Sequence, residues 1–327
     1  MPNWIGDLVM ATPVLADLKE AYPEAEITAM CKRPMGELLE KDPHVDQIFS
    51  FDKPSTLWRR FRHRSVIEKL RQGNYDLGVL LTNSFSSAWW FWQGRVKWRI
   101  GYKASGRGFL LTEGKVYPKQ RSFQHLVKTY RALLGAEGER SPKLYLSEEE
   151  KAGAWKLLER FDVKPGDCLI GINPGAAYGE AKCWLPERFA EVAKNLLEDA
   201  RCKIVFFGDA GSKATVNAIC KDLPERAINL AGLTTLRELM AIISLLRVFL
   251  TNDSGPMHIA AALGCRVVAL FGSTDPVVTG PYLTGKVIRK DVACSPCFKR
   301  KCPIDFRCMK RIECEEVIKA IKDKLWD

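Results

Sequence analysis

Short apolar runs alternate with amphipathic helical stretches along this chain, and the alternation starts over about halfway. Strand-like segments at 27–31, 47–51 and 77–81 are separated by helical spacing near 34–41 and 57–71. A second series places strands at 169–173, 204–207, 248–251 and 267–271 among helices at 187–197, 213–221, 236–246 and 257–263. Such a pattern forms parallel sheets with helices on both faces, and two series in 327 residues predict two α/β domains. The pattern breaks at 141–150, where Pro142 and an acidic run intervene just after Gly138, and a closing amphipathic helix is predicted at 315–325. At the start, Leu8, Ala11, Leu15 and Leu18 follow helical spacing, and Pro13 is expected to kink or tighten that helix rather than end it. A doubly wound domain opens on a buried strand that leads into a glycine turn and a helix. Here Asn3-Trp4-Ile5-Gly6-Asp7 follow no strand. The expectation is either a start at an internal methionine or a domain lacking an element central to its sheet.

Hydrophobic residues at 46% and charged residues at 27% are average globular usage, which excludes a disordered, collagen-like or low-complexity chain. The longest uncharged run, 77–94, is interrupted by Thr82, Asn83, Ser84, Ser86, Ser87 and Gln93, so no bilayer-spanning helix is expected. The opening MPNWIGDLVM lacks the basic and apolar regions of a secretory signal, which makes the cytoplasm the expected compartment. The formal charge of +11 is concentrated: residues 53–72 carry seven basic and one acidic side chain, 95–121 eight and one, and 286–311 nine and two. Patches of this kind attract phosphates on nucleic acid, anionic lipid or a phosphorylated ligand. A solvated basic surface is the plainer reading of any one of them.

Candidate chemistry gathers where strands are predicted to end. Asn252-Asp253-Ser254-Gly255-Pro256-Met257-His258 follows the strand at 248–251 and opens a helix. Ser254 or Asp253 can cap that helix, its first amides and dipole favour an anion, and Gly255 admits a ligand close to the backbone. His258, one turn in, is placed to face the same pocket; read alone, the segment is an ordinary N-cap with a satisfied histidine. The loop at 173–184 has the same placement, with Gly175, Tyr178 and Lys182 between a strand exit and a helix opened by Pro186. Lys182 suits a phosphate as a mobile charge, or is a solvated loop lysine. Asp7 lies at the N-terminus of the first helix, where the dipole keeps a carboxylate ionised and able to act as a base, or it is simply a cap. Phe207-Gly208-Asp209-Ala210-Gly211 closes another strand and is placed to approach a ribose. The phosphate-loop, zincin and nucleophile-elbow motifs of kinases, metalloproteases and hydrolases are absent from the sequence.

Eleven cysteines without a signal peptide point to free thiols or a metal rather than a disulfide framework. Seven are scattered (Cys31, Cys168, Cys183, Cys202, Cys220, Cys265, Cys314) and read as small buried hydrophobes. Cys294, Cys297, Cys302 and Cys308 are clustered among basic residues, enough for one tetrahedral zinc or an iron–sulfur cluster, although the spacings fit neither standard pattern. A reduced, metal-free loop is an equal alternative.

Taken in order, several segments resemble glycosyltransferase family 9 over nearly the whole chain. They are Pro2-Asn3-Trp4-Ile5-Gly6-Asp7, Leu81-Thr82-Asn83-Ser84-Phe85, Arg99-Ile100-Gly101-Tyr102, the 173–184 loop, the 252–264 segment and Phe271-Gly272-Ser273-Thr274. The resemblance implies a GT-B fold of two Rossmann-like domains with parallel sheets facing a central cleft. Residues 1–145 would bind the acceptor, 146–310 would bind ADP-heptose, and 311–327 would form a helix packing back on the first domain. It further implies inverting transfer of L-glycero-D-manno-heptose from ADP-heptose to a heptose already on the Kdo–lipid A inner core of lipopolysaccharide. Carried over by motif, Asp7 would be the general base on the acceptor hydroxyl, and Lys182 with Ser254 and Gly255 would hold the diphosphate. Asp253, His258, Gly175 and Tyr178 would line the donor site. No cofactor is required by the resemblance, leaving a structural metal at Cys294, Cys297, Cys302 and Cys308 as the one candidate. The expected partners are ADP-heptose and the lipopolysaccharide acceptor, with peripheral association at the cytoplasmic face of the inner membrane through the 53–72 and 95–121 patches, and no nucleic acid. Two other readings stand beside this one. The first is a transferase of the same family with a different donor or acceptor; the second is a non-catalytic, metal-stabilised nucleic-acid-binding protein, against which the aromatics near the basic patches form no recognised motif.

Overall fold

A computed structural model describes residues 1–52, 63–118 and 124–326 and divides into two units, Met1–Arg140 and Ser141–Asp327. The expected basic helix at 57–71 is therefore described only from its second half, and residues 53–62 and 119–121 of the two basic patches lie outside the described residues.

The first unit opens with two helices, α1 (Ile5–Ala11) and α2 (Pro13–Ala21), where one was expected. Pro13 has no N–H to give Val9, so it ends one helix and starts the next at its favoured first position. Thr12 closes α1 through its own N–H and hydroxyl, both donated to the Val9 carbonyl at 3.1 and 2.9 Å. The next elements are β1 (Thr28–Lys32), β2 (Gln47–Phe51), α3 (Arg64–Gln72), β3 (Leu77–Leu80), α4 (Phe85–Gln93), β4 (Trp98–Lys103), β5 (Glu113–Val116) and α5 (Leu126–Arg131). All strand pairs are parallel, in two separate sheets of order β1-β2 and β3-β4-β5. One apolar cluster joins Met30, Phe49 and Phe51 of the first sheet to Val66, Leu70, Trp90 and Val96, a second gathers Leu80 of β3 with Ala88, Leu110 and Leu111, and Trp89 and Phe91 of α4 pack against both. On α1 and α2 the packing partner is α5. There Arg131 of α5 grips Asp17 of α2 through two bonds of 2.7 and 3.0 Å, both side chains being nearly fully buried. Arg140 adds a third contact to Asp17 at 2.8 Å from the solvent side.

The second unit begins at Ser141, inside the break at 141–150, and the acidic run there is the first turn of a helix, α6 (Glu148–Glu159). Ser147 and Glu150 form its capping box, and Glu148, Glu149 and Glu150 sit where the helix dipole stabilises carboxylates, which is why acidity there signals a helix start rather than a linker. The chain then runs through β6 (Cys168–Asn173), α7 (Pro186–Leu196), β7 (Cys202–Phe206), α8 (Lys213–Cys220), β8 (Ala227–Asn229), α9 (Leu236–Ile243), β9 (Val248–Asn252), α10 (Gly255–Ala262) and β10 (Arg266–Phe271). It closes with α11 (Pro276–Thr279), β11 (Lys286–Arg289), α12 (Arg307–Lys310) and α13 (Cys314–Trp326). Six parallel strands form one sheet of order β11-β10-β9-β6-β7-β8. Every residue of β6, β7 and β9 is buried, as expected for parallel strands covered on both faces. Gly171 in β6 is required by packing, since a Cβ there would lie 2.4 Å from Leu246 and 2.5 Å from Phe249. Val317, Ile321 and Leu325 of α13 join the core of this unit and pack beside α7, β9 and β10. Of the scattered cysteines, Cys31, Cys168, Cys202, Cys265 and Cys314 are buried and all are free thiols.

Asp17→Asn is expected to lower the stability of the first unit by about 3–5 kcal/mol, because Arg131 would be left buried with half of its partner's charge-paired contacts gone. Chemical denaturation measures this, and Glu20→Gln, at the exposed end of the same network, should change it little.

Candidate functional site

In the second unit a polar cluster forms at the carboxyl ends of β6, β9 and β10, the edge where parallel sheets bind ligands. Two asparagines end adjacent strands. Asn252 of β9 accepts from the Trp184 N–H at 3.0 Å and donates to the Pro174 carbonyl at 2.7 Å, so it ties down both ends of the 174–184 loop. Asn173 of β6 donates to the Gly175 carbonyl at 3.0 Å and to Ser254 Oγ at 3.3 Å. Thr251 Oγ1 lies 2.9 Å from Ser254 Oγ. Ser254 is thus engaged with the strand ends and gives α10 no side-chain cap, contrary to the expectation from sequence. Gly175 is glycine because a Cβ would come within 2.5 Å of Ser212 Oγ.

Lys182 and Asp253 meet in this cluster. Lys182 Nζ is 2.5 Å from Asp253 Oδ2, with the two side chains 13% and 4% exposed, and Thr274 Oγ1 donates to the same oxygen at 2.6 Å. The bland reading of Lys182 as a solvated loop lysine is therefore wrong. Asp253 uses a single oxygen to position one cation and one hydroxyl beside the start of α10, where backbone amides and the dipole favour an anion. An ammonium has three donors, so Asp253 orients Lys182 without exhausting it. Tyr178 lies under the same nitrogen, 4.8 Å from ring centre to Nζ, and also carries the Arg300 guanidinium at 5.1 Å. His258 is buried on α10, one turn from Ser254.

The cysteine segment braces these loops. Phe298 accepts from the Tyr178 hydroxyl at 2.8 Å and its N–H donates to Ser273 at 2.7 Å, while the Arg300 carbonyl accepts from Ala181 N–H at 3.0 Å. Gly179, at φ +153°, lies so close that a Cβ would be 2.5 Å from the Arg300 carbonyl oxygen. Among the described residues no three His, Cys, Asp or Glu side chains are grouped to hold a metal ion, Cys294, Cys297, Cys302 and Cys308 included. Asp209 is used locally, accepting from the Ser212 N–H at 2.8 Å and hydroxyl at 2.7 Å.

In the first unit Asp7 stands in the first turn of α1, and the Tyr130 hydroxyl donates to its Oδ1 at 3.1 Å. Burial and the Asp7 carboxylate hold the Tyr130 phenol well above its usual pKa, so it stays a donor. Sequence reasoning had no signal for this pair, whose members are 123 residues apart. Asn173 and Asn252 stand at the two strand exits expected from sequence, where neither was assigned a role.

The 95–121 patch is less available to partners than its charge suggests. Arg107 is fully buried, bonded to the carbonyls of Tyr102 and Thr82, to Asn83 and to Ser87, and desolvation pulls its guanidinium down to about 10. Arg99 is likewise turned onto the Leu110 and Val96 carbonyls. Among the described basic residues of the patch, Arg95, Lys97 and Lys103 are exposed, beside Trp92, Trp98 and Phe109, the last at the end of an aromatic chain through Phe85, Trp89 and Trp92. No helix among the described residues is long and apolar enough to cross a membrane.

A profile described as Glycosyltransferase family 9 (heptosyltransferase) matches residues 63–306. The chain is 32% identical to lipopolysaccharide heptosyltransferase 2 of Salmonella typhimurium over 86% of its own length and 83% of that protein's. To lipooligosaccharide heptosyltransferase 2 of Campylobacter jejuni it is 28% identical, over 99% and 97%. Among solved structures, that of E. coli ADP-heptose lps heptosyltransferase II matches with a TM-score of 0.85 at 29% identity, covering 99% of this chain and 97% of that one. With the paired strand-end loops and the parallel α/β units already described, these matches place the chain among the GT-B glycosyltransferases of family 9, the family to which it belongs.

Proposed function

We propose that this chain transfers L-glycero-D-manno-heptose, with inversion, from ADP-heptose to a heptose already on the Kdo–lipid A inner core. The observation that carries the reading is the Lys182–Asp253–Thr274 cluster: a cation held nearly out of solvent beside a helix N-terminus, which suits a diphosphate leaving group. In the reaction Asp7 takes the proton of the acceptor hydroxyl as that oxygen bonds to C1 of the heptose. The bond from C1 to the ADP oxygen breaks on the opposite face, and its electron pair leaves with the β-phosphate. Lys182 and the first-turn amides of α10, at Ser254 and Gly255, stabilise that charge, while Gly175, Tyr178 and His258 shape the surroundings of the donor. Tyr130 is a positioning residue that aims Asp7.

The exposed Trp92, Trp98 and Phe109 beside Arg95, Lys97 and Lys103 support peripheral attachment to the cytoplasmic face of the inner membrane. Aromatic rings prefer the headgroup region and basic side chains prefer anionic lipid.

The deciding measurement is ADP release with ADP-heptose and a mono-heptosylated Kdo–lipid A acceptor; turnover without the acceptor, or none with both, would overturn the assignment. Asp7→Asn should lower kcat by about 10²–10⁴-fold with donor binding retained. Tyr130→Phe should lower kcat by about tenfold at unchanged KM while the unfolding midpoint and the titrated active fraction stay those of the parent chain, which separates a lost positioning contact from a folding defect. Lys182→Ala is expected to reduce kcat/KM by about 10²-fold or more and to weaken binding of ADP measured by calorimetry. Replacing Trp98 and Phe109 by Ser should weaken binding to anionic vesicles in a sedimentation assay while leaving ADP affinity unchanged.

A further inference from the structure

Two neighbouring strands of the second unit open on cysteines, and the ladder sets those cysteines opposite each other. Cys168 is the first residue of β6, Cys202 the first of β7, and the two are partners in the parallel register. Side chains alternate along a strand, so Cys168, Ile170 and Ile172 share a face with Cys202, Ile204 and Phe206, and all six belong to one apolar cluster. Both thiols are free and lie at the amino edge of the sheet, 5% and 2% exposed. The backbone holds them there. The Cys168 N–H donates to the Arg201 carbonyl and the Cys202 N–H to the Asp199 carbonyl, each at 3.0 Å, and Asp199 is closed onto Arg201 by bonds of 2.8 and 3.1 Å. The two sulfurs differ in character. Cys202 donates its S–H to Cys168, which holds the Cys168 thiol below its ordinary pKa although burial opposes the shift, and Arg247 and Arg201 lower it further. The same bond, with burial, holds the Cys202 thiol up. Burial pushes Cys220 up to about 11 and Cys265 and Cys314 up to about 12, so these three fit the reading of a cysteine as a small inert hydrophobe. Cys168 and Cys202 instead form a nucleophile and its proton-bearing neighbour.

We propose that Cys168 and Cys202 are a modification site, a dithiol that a hydroperoxide converts to a reversible disulfide between β6 and β7. The Cys168 thiolate attacks one peroxide oxygen and the O–O bond breaks. Cys168 becomes a sulfenic acid, and the departing alkoxide or hydroxide takes up the proton that Cys168 had released. The Cys202 sulfur then attacks the Cys168 sulfur, the S–O bond breaks, and the hydroxide leaves as water with the Cys202 proton. The sum is two thiols and one hydroperoxide going to a disulfide, an alcohol or water, and a water; the thiols are oxidised and the peroxide is reduced. Neighbouring strands run about 4.8 Å apart, within the Cα range of a disulfide but wider than its usual Cβ separation. The bridge forms with strain, and strained bridges are the ones that thiol reductants open again.

The test treats the folded chain with hydrogen peroxide, alkylates the remaining thiols after denaturation, and maps the peptides by mass spectrometry with and without dithiothreitol. A pair of peptides joined through Cys168 and Cys202 is expected, formed about tenfold or more faster than any oxidation of Cys265 or Cys314 and released by dithiothreitol. In Cys202→Ser the resolving thiol is gone, so a sulfenic acid should accumulate at Cys168 and be captured by dimedone; in Cys168→Ser, Cys202 should stay reduced. The map of the unsubstituted chain decides the matter even where a serine variant fails to fold. Oxidation confined to Cys294, Cys297, Cys302 and Cys308, with Cys168 and Cys202 fully alkylated, overturns the proposal. So does a Cys168–Cys202 bridge that forms only in urea, or oxidation of Cys168 no faster than that of Cys265.

Discussion

A parallel sheet brings the carboxyl ends of all its strands to one edge, and in the second unit that edge is organised by the side chain of Asn252. Its two ends have opposite roles: the oxygen accepts from Trp184 and the nitrogen donates to Pro174. The 174–184 loop carrying Tyr178 and Lys182 is thereby fixed at both feet to a fully buried residue of the central sheet. Rigid feet matter because a lysine is otherwise a flexible, strongly hydrated charge. With the loop held, Lys182 needs only Asp253 to fix its head group, and Asp253 in turn is held by its N–H to Leu270 of β10 at 3.2 Å. Backbone registry of three strands thus becomes the placement of one ammonium.

The same logic explains why glycines recur around the cluster. Gly175 and Gly179 are not there for looseness; each is a place where another segment approaches within less than a Cβ allows, Ser212 at one and Arg300 at the other. The cysteine segment enters the site through the second of these contacts. Its backbone meets the 174–184 loop through Phe298 and Arg300 and the β10 exit through Ser273, so a stretch read from sequence as a possible metal loop acts here as a brace on both ligand-facing loops.

Much of this was legible in the residues because strand exits are short, glycine-containing and followed by helix starts, a pattern independent of distant contacts. β2 and the start of α9 coincide with their expected positions, and β6, α7 and α8 differ at their ends by a residue. Local chemistry misled where it had two meanings. Pro13 can bend a helix or begin one, and the acidic run at 148–150 can separate domains or open a helix with a capping box. Charge misled where it was counted without burial: Arg99 and Arg107 belong to a basic stretch, yet both side chains turn inward to carbonyls. Tyr130 was invisible because nothing within a few residues of it points to Asp7.

The break at Pro13 is also what allows the candidate base to be held. Tyr130 and Arg131 are neighbours on α5, and each reaches a carboxylate on a different helix, Asp7 on α1 and Asp17 on α2. A single continuous helix would carry those carboxylates ten residues apart, nearly three turns and about 15 Å along one axis, too far for adjacent residues of a short helix to span. Dividing the helix at Thr12 frees α1 and α2 to present both carboxylates to α5. The buried Arg131–Asp17 pair then sets where α5 sits against α2, and the Tyr130 hydroxyl, fixed by that docking, sets the orientation of Asp7. The chemistry proposed for one carboxylate thus rests on a salt bridge one helix away.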